Sequence, residues 1–396
     1  MLLLVNLIAL SFFFAPGTGD VKVWAEWMRE IDTNGLLGGY THSDTDYPPL
    51  AFVLLAGVSR SAAALEVPRF VVLKCSIFLF LFATTACFYS FTRNLVLTAA
   101  LEFSLILNSV ALGYLDVYFA PFLIAAFFLL RRGNLVLGLL LFTISCSVKW
   151  QPLIIAPFVC IYTLGAQQRE NRDNNRPFTK RLIPFALAAA VASALILIFG
   201  AKIFDSLSRA TRHALLSAGA LNLTWLQTWA LHLISPEKYG ALKNGEIGMF
   251  VTHDPLLVWP NKILFCLTYS AILIGFARGA KTFPQLVSYS ILGYFAYFCF
   301  NTGVHENHLF LICCLAWILV FLSPLQLSRG LNLTLAANAN LFLFYGVFGY
   351  YLHRVFGGVD ITLLFAVANL CLFAGFFIET IKADGLDLWF VKIPPE

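Results

Sequence analysis

The sequence predicts an all-α fold, a polytopic transmembrane helical bundle, and three observations predict it. Of the 396 residues, 60% are hydrophobic and only 12% are charged, against about 25% charged in a soluble domain. The mean hydropathy is +0.81. The apolar residues gather in runs, several of them close to the roughly 20 residues that one bilayer crossing needs. A soluble globular enzyme is thereby excluded. The net charge of +5 is no sign of nucleic acid, because basic clusters in a membrane chain report its orientation. The expected architecture is a single membrane domain over 1–396 with about 11 to 13 membrane helices, monomeric and seated in a lipid bilayer.

The first apolar run, Leu2 to Ala15, ends at Pro16-Gly17. It resembles a signal h-region but lacks a basic n-region and a small-residue cleavage site, so it reads as a first membrane helix. The stretch from Gly19 to Leu50 then stands out as polar, with six carboxylates between Asp20 and Asp46. Within it Val23, Trp24, Trp27, Met28 and Ile31 recur at helical spacing opposite Lys22, Glu26, Arg29, Glu30 and Thr33. That pattern predicts an amphipathic helix lying in the membrane interface with its tryptophan side down. The glycine-rich Leu36 to Tyr40 is expected to turn the chain back, and Tyr47-Pro48-Pro49 to start the next helix, where proline is tolerated.

Further spans are expected at 49–66, 70–91, 95–112, 117–130, 134–148, 150–165, 182–200, 256–277, 285–301, 309–322, 331–353 and 360–381. The shorter ones suggest tilted, broken or re-entrant pieces. Arginine and lysine orient them. The segment 167–181, with Arg169, Arg172, Arg176, Lys180 and Arg181, is assigned to the cytoplasm, as are Arg131-Arg132 and Arg278 with Lys281. The loops 16–47, 201–255 and 301–308 then face outward, and with them all seven histidines, His42, His213, His232, His253, His305, His308 and His353. Between Arg69 and Asp116 the alternation holds only if one run does not fully cross. The loop 201–255 carries Arg209, Arg212 and His213 on a short helix, and Asn222-Leu223-Thr224, a glycosylation sequon. The tail Leu386 to Ile393 reads as a short interfacial segment. The nine cysteines all lie in apolar runs without a C-x-x-C pair and read as buried free thiols.

Several residues carry chemistry. Asp20, just past the first run, is placed either as a general base on an acceptor hydroxyl or as a helix N-cap. Asp46, with Tyr47 in D-Y-P-P-L, binds substrate or caps the helix that follows. Asp116 in G-Y-L-D-V-Y and Lys149 in S-V-K-W-Q-P each interrupt an apolar stretch, and an ionisable group there points to function by default. Lys149 suits a phosphate, or else snorkels to the headgroups. Arg209 and Arg212 serve the same phosphate or form a solvated helix face. In N-T-G-V-H-E-N-H, His305, Glu306 and His308 sit at a membrane edge. Their spacing permits a metal, but no further His or Cys cluster completes a ligand set, and neither metal nor cofactor is expected. Walker, G-x-G-x-x-G and G-x-S-x-G motifs are absent.

In their order along the chain, Gly19-Asp20, Asp46-Tyr47-Pro48-Pro49-Leu50, Lys149-Trp150-Gln151-Pro152 and Val304-His305-Glu306 resemble the motifs of the GT-C membrane glycosyltransferases. The likeness is nearest to the dolichol-phosphate-glucose glucosyltransferases of N-glycan assembly and looser to bacterial polyprenyl-phosphate-mannose mannosyltransferases. It spans roughly residues 10–320. Gly303 stands where the late motif has its first His and Asn307 where it has Lys, and the His-rich signature before Asp116 is missing. The resemblance implies a polyprenyl-phosphate sugar as donor, a glycan hydroxyl as acceptor, Asp20 as catalytic base, inversion at the anomeric carbon without a metal, and a His-Glu motif that contacts the donor phosphate or organises the site.

The residues agree with that chemistry. A polyprenyl tail keeps the sugar phosphate at the interface. The phosphate is already a good leaving group and needs charge stabilisation. One base on the far face of the sugar then suffices for single displacement. A transporter or flippase is the rival class and would use Asp116 and Lys149 as its pathway. Inverted repeats would favour it, and none is seen.

Overall fold

The computed structural model describes residues 1–174, 178–212 and 214–383. Its helices in chain order are α1 (Leu2–Ser11), α2 (Asp20–His42), α3 (Pro49–Leu65), α4 (Arg69–Thr92), α5 (Leu95–Ile106), α6 (Ala120–Arg131), α7 (Leu135–Val148), α8 (Ala156–Asn174), α9 (Phe178–Phe199), α10 (Lys202–Thr211), α11 (Leu223–Ile234), α12 (Pro236–Tyr239), α13 (Pro255–Arg278), α14 (Phe283–Phe300), α15 (Phe310–Leu322), α16 (Leu327–Tyr345) and α17 (Thr362–Ala383). Each expected run holds a helix. Among the described residues four helical stretches, Arg69–Thr92, Leu182–Phe199, Pro255–Arg278 and Thr362–Lys382, are long and apolar enough to cross a membrane. Shorter apolar helices accompany them, and the protein is a membrane protein by this measure. His213 and the tail 386–393 lie outside the described residues, as do the side chains of 167–174 and 178–181.

The chain divides into two compact units. One comprises Met1–Leu153, Asn171–His213 and Leu341–Leu352, the other Ile154–Glu170, Ala214–Asn340 and His353–Glu396.

In the first unit the buried side of α2 is the one the sequence marks, with Trp24, Trp27, Met28 and Ile31. It faces protein, however, and the expected membrane-facing tryptophans are a misreading. Trp24 packs on Tyr47 at 5.2 Å and Trp27 stacks on Phe52 at 4.9 Å between ring centroids. Asp32 accepts hydrogen bonds from Ser59 (2.8 and 2.9 Å) and pairs with Arg69. The first half of α2 therefore runs beside α3 in the same direction. The reversal comes at Gly35 (φ 71°, ψ 174°), a conformation glycine adopts without Cβ strain. Leu36 to Tyr40, expected as a turn, is helical instead, and Tyr40 comes back onto Phe52 at 5.0 Å.

α4 and α5 form a hairpin turning at Arg93-Asn94, where the Asn94 side chain accepts from the N–H groups of Val96 and Leu97. Arg132, in the α6–α7 turn, lies 4.7 Å over the Phe91 ring, and Phe91 stacks on Phe128 at 4.8 Å. These turns share one end of the unit. The opposite end collects Tyr47, Lys74, Val110 to Asp116 and Lys149. α16 stops at Tyr345, short of the expected 353, because Gly346 (φ 56°) and Gly349 (φ 80°) take left-handed backbone.

The second unit adds short strands to the expected all-α pattern. β1 (Leu215–Ser217) pairs antiparallel with β2 (Phe250–Val251), and β3 (Val355–Phe356) with β4 (Val359–Asp360). Asn222 is 0% exposed. Its carbonyl oxygen caps α11 through the Trp225 N–H (3.1 Å), and its amide donates to Phe298 O (2.8 Å). A buried capping side chain is no glycan acceptor, so the sequon reading falls. The cysteines are free, but Cys75, Cys266 and Cys371 are exposed rather than buried, on helices whose apolar faces suit lipid.

Gly17 (φ 77°) touches backbone: a Cβ there would lie 2.7 Å from Leu112 O, whereas one on Gly19 would meet nothing within 4 Å. Gly17→Ala is expected to cost about 1–3 kcal/mol and Gly19→Ala to be near neutral, read as thermal unfolding midpoints of the detergent-solubilised protein.

Candidate active site

The site in the first unit is built where α5 ends. A π-helical turn, Leu107–Ala111, follows α5, and a helix end leaves its last carbonyls without helical partners. Four successive carbonyls are satisfied from elsewhere in the unit. The Lys74 ammonium donates to Val110 O (2.6 Å) and Ala111 O (3.4 Å). The Thr18 N–H donates to Leu112 O (2.9 Å), and the Trp24 indole N–H to Gly113 O (3.0 Å). The loop before α2 and α2 itself are thereby tied to the segment that leads into Asp116.

Thr18 also sets the position of Asp20. Its hydroxyl oxygen accepts from the Asp20 N–H at 3.4 Å, while Gly19, and not Asp20, holds the N-cap position of α2. Asp20 falls in the first turn of α2, half-buried, where the partial positive charge of the helix start favours a carboxylate. Asp46 is likewise no cap: Pro48 holds that position of α3, with extended backbone, and Pro49 follows. The Thr45 hydroxyl accepts from the Tyr47 N–H at 2.9 Å, fixing the turn that points Tyr47 inward.

Tyr47 is the hub. Its ring lies 5.2 Å from Trp24 and 5.4 Å from Trp27, and the Lys149 ammonium sits 4.9 Å from its centroid. Burial pushes its phenol well above the ordinary tyrosine range, and the negative charges of Asp116, Asp46 and Asp20 push it further. Three carboxylates from three separate parts of the sequence thus act electrostatically on one phenol. Asp116, 0% exposed on the short 3-10 turn Leu115–Tyr118, pairs with Lys149, 6% exposed. Lys149 leaves the end of α7 in extended backbone (φ −148°, ψ 143°). It does not snorkel. A buried pair of this kind recovers its desolvation cost only in good geometry, so it specifies an arrangement more than it adds stability.

The structure brings together Asp20, Asp46, Tyr47, Asp116 and Lys149. Arg209 and Arg212 lie at the surface of the same unit. Arg209 pairs with Asp44 at 2.9 Å. Lys74, unmarked in the sequence reading, is 0% exposed, and Glu102 on α5 is 1% exposed. The signal was present for both, since each is an ionisable residue inside an apolar run.

The second unit holds the His-Glu group. Val304 O accepts from the Ala220 N–H at 3.3 Å, and His305 bridges to Ala218 and Gly219. Gly219 (φ 89°) lets the Glu306 carboxylate lie against its backbone, since a Cβ there would come within 2.8 Å of Oε2. Glu306 Oε2 is 4.0 Å from His305 Nδ1. His308 Nδ1 is 3.0 Å from the Tyr297 hydroxyl, and the His305 and His308 rings are 5.5 Å apart. Asn340, also unmarked in the sequence reading, donates to Glu306 O (2.9 Å) and accepts from the Leu221 N–H (2.9 Å). Among the described residues no group of three or more His, Cys, Asp or Glu is arranged to hold a metal ion.

Compared with known proteins, the chain matches no family model and no curated protein.

The buried pair makes a stability prediction. Lys149→Met strands the Asp116 carboxylate and is expected to cost about 3–5 kcal/mol. Adding Asp116→Leu should restore most of that loss. Thermal unfolding of the two singles and the double variant measures it.

Proposed function

We propose that this protein is an inverting membrane glycosyltransferase of the GT-C type. It moves a hexose, glucose or mannose, from a polyprenyl-phosphate sugar to a hydroxyl of a lipid-linked or surface glycan. The observation that carries the reading is the gathering of Asp20, Asp46 and Asp116 around Tyr47 with Lys149 against its face. The order of motifs along the chain supports it.

In this reading Asp20 takes the proton of the acceptor hydroxyl as that oxygen attacks the anomeric carbon. The bond to the phosphate oxygen breaks, and its electron pair leaves with the lipid phosphate. Lys149 stabilises the charge that develops there, in a setting that excludes water. Asp46 and Asp116 hold the acceptor and the lysine. The buried tryptophans Trp24 and Trp27 back the Tyr47 ring and hold it in place. His305, Glu306 and His308 are assigned to donor binding on the resemblance, with the surface arginines Arg209 and Arg212 as further phosphate contacts.

The bilayer reading follows from the ends of the first unit. In this reading Arg93, Arg131 and Arg132 lie at the cytoplasmic end, and Asp20, Asp46, Asp116 and Lys149 face the periplasm or lumen.

Sugar transfer by the purified protein tests the proposal, with polyprenyl-phosphate glucose and mannose as donors and mixed lipid-linked acceptors. Wild type is expected to transfer from one donor. Asp20→Asn is expected to lose on the order of a thousandfold in rate with an unchanged unfolding midpoint. Equal rates for the two proteins would refute Asp20 as the base. Solute uptake by liposomes without transfer from either donor would favour a transporter.

A further inference from the structure

The segment Ser145–Gln151 concentrates buried polar atoms that have no hydrogen-bond partner among the described residues. They are the Ser145 hydroxyl, the Trp150 indole N–H and both polar atoms of the Gln151 amide. Ser145 is 0% exposed and Gln151 6% exposed. Buried amides are nearly always bonded, and one left unbonded is costly enough to need an explanation. These atoms flank Lys149, where α7 ends and the 3-10 turn Gln151–Ile155 begins. They lie, in sequence, on both sides of the charge that the proposed reaction uses.

We propose that Gln151, assisted by the Trp150 N–H, reads the hydroxyl groups of the sugar carried by the lipid. A primary amide offers two donors and an acceptor side by side, which matches neighbouring hydroxyls on a pyranose ring. An indole N–H offers a single donor for a ring or phosphate oxygen. A site built to hydrogen-bond a hydroxyl discriminates against ligands that lack it, because its own polar groups are then stranded. Gln151 is therefore a specificity-determining residue and Lys149 a sugar-blind holder of phosphate. This rests on the glycosyl-transfer reading above.

The sign of a stability change separates this role from a structural one. Gln151→Leu breaks no hydrogen bond to protein and removes a stranded amide, so the unliganded unfolding midpoint should stay level or rise. Binding of polyprenyl-phosphate glucose, polyprenyl-phosphate mannose and bare polyprenyl phosphate is measured by titration in detergent. Wild type is expected to prefer one sugar-bearing lipid by at least about tenfold. Gln151→Leu is expected to bring that preference close to one while keeping affinity for the bare phosphate, and Trp150→Phe, which deletes only the N–H, to reduce it in part. A Gln151→Leu protein that keeps the preference overturns the inference, and a lowered midpoint with the preference intact assigns the amide to a structural water. Wild type binding all three lipids equally overturns the inference alone. Wild type binding none overturns the glycosyl reading with it.

Discussion

The structure of the first unit depends on how the carbonyls beyond α5 are satisfied. A helix that ends inside apolar surroundings exposes acceptors that no water reaches. Here the donors come from three places: the Lys74 ammonium, the Thr18 amide and the Trp24 indole. Each donor ties a different stretch of chain to residues 110–113. Close approach needs glycine at both Gly17 and Gly113, where a Cβ would meet neighbouring atoms at 2.7 Å. The geometry of Asp20 and of Asp116 follows, since one lies two residues after Thr18 and the other three residues after Gly113.

Around Tyr47 this framework sets ionisable groups of both signs. Asp116 pairs with Lys149, and Asp20 and Asp46 act electrostatically on the same phenol. Carboxylates and an ammonium held near one another suit a reaction in which a carboxylate removes a proton and an ammonium faces a leaving phosphate. Fixed groups of this kind need no reorganisation during the reaction.

Much of this was legible in the sequence, and the failures have definite causes. The helices followed the apolar runs because burial in lipid or protein alike demands them. That same equivalence explains the misread Trp24 and Trp27: an apolar helix face does not say whether lipid or protein covers it. Asp116 and Lys149 stood out as ionisable residues in apolar surroundings, but their pairing spans a separation in sequence that no local pattern encodes. Lys74 gave the same signal and was passed over within R-F-V-V-L-K. Asp20 offered itself in the sequence as a cap, whereas Gly19 holds the N-cap position of α2 and Asp20 begins its first turn. The early stop of α16 lay in Gly346 and Gly349, whose left-handed backbone interrupts an otherwise continuous apolar run.

The central claim is that one carboxylate base acts on the far side of the sugar from its lipid phosphate. The anomeric configuration of the product tests it most directly, read by NMR on glycan made from a donor of known configuration. The account predicts a single product inverted at the anomeric carbon. Retention would mean a covalent sugar–enzyme intermediate, and would contradict the single-base arrangement assigned to Asp20.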